Sequence, residues 1–180
     1  MLGCLVEAVR GRFGRIDVVA YGPISGEQGF TPAAELDASA LEGLLPLLLL
    51  TPVEVVRAVL PEWTERGDGA FLLAQGYSAA RPMPDLSGLG PVMAATRNYL
   101  HSLHAELADK GVYAGALTIA SLIDRSEVSA AARAAFDAAD GPRFPVADPD
   151  DLAEHYWDMY TVRDRAERFH PESLTPPTAA

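Results

Sequence analysis

Residues 67–119 read GDGAFLLAQGYSAARPMPDLSGLGPVMAATRNYLHSLHAELADKGVYAGALTI, and the fold is decided within them. Gly67-Asp68-Gly69 marks a turn, and the run AFLLA at 70–74 is short, continuous and apolar, the pattern of a strand buried on both faces. Residues 75–90, rich in Gly, Pro and Ser, read as a loop. From 91 to 107 the period changes, with Val92, Ala95, Tyr99, Leu103 and Leu107 close to one helical stripe. Asp109-Lys110-Gly111 ends that helix, and VYAGALTI at 112–119 is a further strand. A strand, a long helix and a second strand in this order predict a βαβ unit on a parallel sheet.

Working outward, residues 5–12 carry helical spacing and stop at Phe13-Gly14-Arg15, where Gly14 suits a left-handed cap. IDVVAY at 16–21 predicts another strand buried on both faces, closed by Gly22-Pro23. Residues 24–31 read as loop. Asp37 is placed to cap a long helix through Trp63, which Pro46 or Pro52 should kink or split. On the other side, an Ala-rich helix is expected from Asp124 to about 139, followed by a Pro-containing loop. Asp148-Pro149-Asp150-Asp151 caps a last helix expected to run from 151 to about 169. The expected organisation is a single domain over 1–170 with a disordered tail, 171–180.

At 180 residues with 49 % hydrophobic and 22 % charged content, the chain can bury a real core, and collagen-like, disulfide-scaffold and wholly disordered classes are excluded. A net charge of -11 repels a phosphate backbone and an anionic membrane surface, so neither nucleic acid nor membrane is expected as a partner. The apolar run 44–53 is interrupted by Pro46 and Pro52 and flanked by charge, which predicts a buried helix instead of a membrane anchor. The single cysteine, Cys4, makes no internal disulfide and suits a reducing, cytoplasmic setting.

The order of FGRIDVV (13–19), PVEVVRAVLP (52–61), GDGAFLLAQGYSAARPMP (67–84) and LHSLHAELADKGVYAGALTI (100–119) resembles the C-terminal two-thirds of a short-chain dehydrogenase/reductase. The resemblance implies an α/β fold, a Rossmann-like three-layer parallel sheet lacking the first βαβ units, an NAD(P) cofactor and hydride transfer between an alcohol and a carbonyl. No glycine-rich G-x-x-x-G-x-G turn opens the sequence, as though the chain began after it. The family's cofactor-floor motif falls on Tyr21, Gly22, Pro23 and Ile24, and its Pro-Gly after the third strand falls on Ile119 and Ala120, so binding of NAD(P) by this chain is expected to be poor. The catalytic serine, tyrosine and lysine that the resemblance implies fall on Gly76, Leu89 and Met93, and the assisting asparagine on Leu48. None of these moves a proton. The sole lysine, Lys110, has Glu106 four residues before it, so no Tyr-x-x-x-Lys exists anywhere in the sequence.

Gly76-Tyr77-Ser78-Ala79-Ala80 resembles a relaxed nucleophile elbow, but Arg81-Pro82-Met83-Pro84 follows where that motif needs a helix, so Ser78 reads as a loop serine. Tyr77 and Ser78 are candidates to hydrogen-bond a small ligand. His101 and His104, at i and i+3, lack a third ligand at suitable spacing and read as a solvated or interface pair, so no metal is expected. His155, Tyr156, Trp157 and Tyr160 form an aromatic face on the last helix, from which Tyr156 and Trp157 are candidate substrate contacts. Helices 38–63 and 91–108 match those through which the family dimerises, so a homo-oligomer is expected, with a small apolar ligand as a possible partner. The first strand should leave an open edge. Either a partner covers it, or the reading frame is shorter than the working protein. Two readings follow: an oxidoreductase relative with lost catalytic residues, or a non-catalytic dimerisation and ligand-binding scaffold.

Overall fold

The computed structural model describes residues 2–22, 31–127, 129 and 145–175. Its elements are α1 (Leu2–Phe13), β1 (Val18–Tyr21), α2 (Ala38–Leu45), α3 (Thr51–Arg66), β2 (Gly69–Gly76), α4 (Leu89–Leu107), β3 (Val112–Ile119), β4 (Leu122–Ile123), β5 (Val146–Ala147), α5 (Pro149–Val162) and β6 (Glu167–His170). The main sheet is parallel throughout, in the order β1-β2-β3-β6. The α/β architecture with a parallel sheet is therefore the one expected.

Alternation along the strands builds two apolar layers. Phe71, Leu73, Ala114 and Ala116 face α3 and α4, where Val56, Val59, Trp63, Leu100 and Leu103 close the first core. Ala70, Leu72, Tyr113 and Leu117 face α5, where Leu152 and Met159 close the second. Trp63 lies so close over Gly69 that a Cβ there would overlap its ring, which is why the strand opens on glycine. Gly14 and Gly67 adopt the left-handed conformation beyond the ends of α1 and α3 (φ 86° and 70°).

The predicted break between 37 and 63 takes a specific form. Helix runs from α2 into α3 through a π-turn, Pro46–Leu50, in which the Thr51 N–H bonds to the Pro46 carbonyl. The Thr51 N–H is thereby taken from the Leu47 carbonyl, and Pro52 has no N–H to give the Leu48 carbonyl. The Tyr21 hydroxyl donates to the first at 2.7 Å and the Thr96 hydroxyl to the second at 2.5 Å. The bulge is thus held by β1 on one side and α4 on the other.

Several expectations need correction. Residues 16–21 do not form a strand buried on both faces: among the described residues β1 is a four-residue edge strand, Val19 and Tyr21 pack on the first core, and Val18 and Ala20, on the opposite face, are exposed. The run 44–53 is not a buried helix either. Only Pro52 within it is buried, and Leu50 is 52 % exposed, since these residues form the outer surface of the helical layer. The stretch Ala38–Arg66 is, by length and composition, apolar enough to cross a membrane, but its α3 part is packed on the sheet through Val55, Val56, Val59 and Trp63. The last helix stops at Val162, not near 169. Arg163 turns left-handed (φ 56°), and its guanidinium donates to the Gly111 carbonyl at 3.1 Å and to Asp68 at 2.9 Å. Residues 167–170 then form a fourth strand of the main sheet. Beyond it, Glu172–Leu174 is a 3₁₀ turn where a disordered tail was expected, and 176–180 lie outside the described residues. The Ala-rich helix expected after Asp124 and the loop 24–31 also fall almost wholly outside them.

Candidate functional site

In open parallel sheets, ligands gather beyond the carboxyl ends of the strands. Here that edge is made by the ends of β2 and β3, the 3₁₀ turn Tyr77–Ala79, the start of α4 and the segment after β6. Gly76 and Met93 meet there: a Cβ on Gly76 would lie 3.4 Å from the Met93 Cε. Leu89 begins α4 one helical turn before Met93. The positions that the resemblance assigned to serine, tyrosine and lysine are therefore at the start of one helix and the end of one strand, but they present a hydrogen atom, a leucine and a thioether. Leu48 lies in the π-turn, where its carbonyl, and no side-chain amide, takes part in hydrogen bonding.

The cofactor positions are inward-directed as well. The Tyr21 hydroxyl is spent on Leu47, and burial raises its pKa. Gly22 sits tightly against Ala74, with room for no Cβ (2.8 Å). Ile119 packs on the second core, and the Ala120 N–H donates to the His170 carbonyl at 2.8 Å. Pro23 lies outside the described residues. A dinucleotide needs donors and acceptors for its ribose and amide groups. The side chains at Gly22, Met93, Ile119 and Ala120 supply none, and the Tyr21 hydroxyl gives its proton to Leu47, so this set of side chains does not fit NAD(P).

Ser78 is buried, with the backbone of Gly90 packed over it, and does not stand at the head of a helix. Tyr77 is half-buried. Its ring meets Phe169 edge-on at 6.3 Å, and its hydroxyl donates to the Leu174 carbonyl at 3.4 Å. The aromatic face of α5 divides: burial pushes the Tyr156 phenol strongly upward, whereas Trp157 is 67 % exposed against Tyr160. His101 and His104 are not a solvated pair. The His104 Nδ1–H donates to the Ala114 carbonyl at 2.8 Å, on the part of β3 that β6 leaves unpaired, and His101 Nε2 lies 3.3 Å from Glu167.

The strongest polar constellation was not singled out from the sequence. Glu167, with a side chain only 6 % exposed, receives the Arg97 guanidinium in a two-pronged contact (Nε at 2.9 and 3.0 Å, Nη2 at 2.6 Å). It also accepts from the Thr118 hydroxyl at 2.6 Å and the Gln75 amide at 3.2 Å. Burial opposes its charge, but the close contact with His101, the hydrogen bonds from Arg97 and Thr118 and the Arg97 charge prevail, bringing its pKa to about 2. The register explains the meeting: Gln75 pairs with Thr118, Ala116 pairs with Glu167, and Arg97 and His101 are i, i+4 on α4. Polar residues inside otherwise apolar runs, Gln75 after AFLLA and Thr118 in VYAGALTI, were the available signal.

No family model matches the sequence, and no curated protein matches it. Solved structures do. A sorbitol-6-phosphate 2-dehydrogenase from Erwinia amylovora superposes with a TM-score of 0.79 at 15 % identity, over 92 % of this chain and 71 % of that one. An NADPH-bound short chain oxidoreductase from Pseudomonas aeruginosa PAO1, described as containing an atypical catalytic center, gives 0.77 at 19 % identity over 98 % and 72 %. A halohydrin dehalogenase gives 0.62 at 19 % identity over 68 % and 48 %. The chain thus spans from about half to nearly three quarters of the length of these relatives in structure. With its parallel sheet between helical layers, it has the Rossmann-like fold seen in short-chain oxidoreductases.

Proposed function

We propose that this chain is a catalytically silent relative of the NAD(P)-dependent short-chain dehydrogenases/reductases, working in a cytoplasmic homo-oligomer as a scaffold for a small apolar ligand. The observation that carries this reading is the contact between Gly76 and Met93, with Leu89 one turn away, where the family implies its proton-transferring groups. Ligand contacts would come from Gly76, Tyr77, Leu89 and Met93. The oligomer is supported by an open groove of about 440 Å³ on the outer face of α3 and α4, lined among others by Val53, Val56, Leu60, Pro61 and Tyr99. Leu50, exposed in the π-turn three residues before Val53, adds to that face. A second copy of this chain is the occupant proposed. The edge of β1, unpaired among the described residues, also favours a second reading, that the sheet continues into a partner strand or the remainder of a longer protein.

Calorimetric titration of NADH and NADPH into the purified 180-residue chain, with its mass recorded by light scattering, tests the proposal. Absence of binding at millimolar cofactor together with a dimeric mass supports it. Micromolar binding with hydride transfer to any carbonyl substrate overturns it.

A further inference from the structure

His155 and His170 meet where α5, the end of β6 and the following segment come together. His155 Nε2 lies 3.0 Å from His170 Nδ1, with ring centroids 5.2 Å apart and planes tilted by 51°. A nitrogen-to-nitrogen contact this short holds one proton, one ring donating and the other accepting. A first added proton goes to an outward nitrogen and leaves that bond intact. A second places two N–H groups face to face and two positive charges in contact.

The surroundings resist that second proton. Arg168 on β6, whose side chain is only 15 % exposed, faces His155 and is bound to Asp158 on α5 at 2.5 Å and to Glu172 at 2.7 Å. Glu172 after the strand and Asp151 on α5 act in the opposite sense. Burial first, then Arg168 and His170, hold His155 below the ordinary histidine range.

The histidine pair is coupled to a covering segment. The His170 carbonyl accepts from the Ala120 N–H, the Glu172 carboxylate holds Arg168, and the Leu174 carbonyl accepts from Tyr77. Backbone bonds from Leu174 to Pro171 and from Thr175 to Glu172 give residues 171–175 their compact turn. We propose that residues 171–175 form a strap across Tyr77 that the His155–His170 hydrogen bond fastens, and that protonation of both imidazoles releases it. The direction follows from proton linkage: the closed form binds fewer protons than the open one, so it loses ground as pH falls through the ordinary histidine value of about 6.5. Acidification would then uncover the Tyr77 end of the sheet.

The test is an NMR titration of the intact chain between about pH 7.5 and 5.5, above the range in which ordinary carboxylates take up protons. Imidazole signals report the pair, and amide protection factors of Ala120, Leu174 and Thr175 report the strap. The expected result is two coupled histidine steps and a fall in strap protection of about tenfold or more, with that fall absent in His155→Gln. Independent titration of the two histidines overturns the proposal, and so does an equal loss of protection in the variant. Should the variant fail to fold, the coupling of the two titrations in the unaltered chain decides the matter alone.

Discussion

Replacing Glu167 by glutamine removes the charge on which α4, β3 and β6 converge. The carboxyl drops from an ordinary value of 4.5 to about 2 in the folded chain. A drop of about 2.5 at about 1.4 kcal/mol per pH unit makes the ionised form worth about 3 kcal/mol over the neutral one. With the side chain 6 % exposed, solvent screens little of this. Glutamine also leaves Arg97 without its two-pronged acceptor, in the range of about 3–5 kcal/mol seen when one partner of a buried pair is removed. Urea unfolding of Glu167→Gln at neutral pH should therefore show a loss of about 3 kcal/mol. Because the folded pKa lies below the unfolded one, the stabilisation is present above about pH 4.5 and is lost as pH falls toward about 2. The difference between wild type and variant should accordingly shrink in acid. A variant within about 0.5 kcal/mol of wild type at neutral pH, or a difference that does not change with acidification, would refute the reasoning.

Gly69→Ala should push a methyl into the Trp63 ring and cost about 1–3 kcal/mol, visible as a melting temperature lower by several degrees. Tyr21→Phe and Thr96→Val each remove the donor to one carbonyl of the π-turn, and each should cost about 1 kcal/mol in denaturant unfolding. An unchanged midpoint in both would show that water replaces them freely. Leu50→Asp, at a leucine 52 % exposed on the proposed oligomer face, should reduce the solution mass to that of one chain while leaving the circular dichroism spectrum intact. An unaltered oligomeric mass would place the interface elsewhere.

Where hydrophobic period and chain punctuation agree, the sequence was sufficient. The turn at Gly67, the run AFLLA and the strand VYAGALTI yield β2 and β3 with their crossover helix, because a continuous apolar run between glycines has few other uses. It was misleading where burial depends on neighbours that no local pattern encodes: IDVVAY carries the pattern of a central strand, yet among the described residues β1 is an edge. The strand Glu167–His170 was illegible for the opposite reason. Its one apolar residue is Phe169, and its glutamate is stabilised by partners 49 to 92 residues away, which no local period encodes. The absence of proton-transferring groups at Gly76, Leu89 and Met93 could be read from residue types alone. The Glu167 network needed the register, since only the pairing of Gln75 with Thr118 and of Ala116 with Glu167 places those side chains on one face.

The π-turn at Pro46–Leu50 carries one residue more than an α-helical turn would need. Each residue of an α-helix turns the chain by about 100° and each residue of a π-turn by about 80°, so the five residues here cover nearly the rotation of four in an α-helix, and the extra residue is absorbed without turning α2 about the axis of α3. Pro52 prevents the slippage, because it supplies no N–H with which a tighter register could recapture the Leu48 carbonyl. Leu41, Leu44 and Leu45, the partly covered residues of α2, therefore keep the direction that lays Leu44 against Gly88. A deletion of any single residue between 46 and 50 would close the π-turn and leave α2 facing much as before, whereas a deletion elsewhere in α2 or α3 would re-aim it by about 100°.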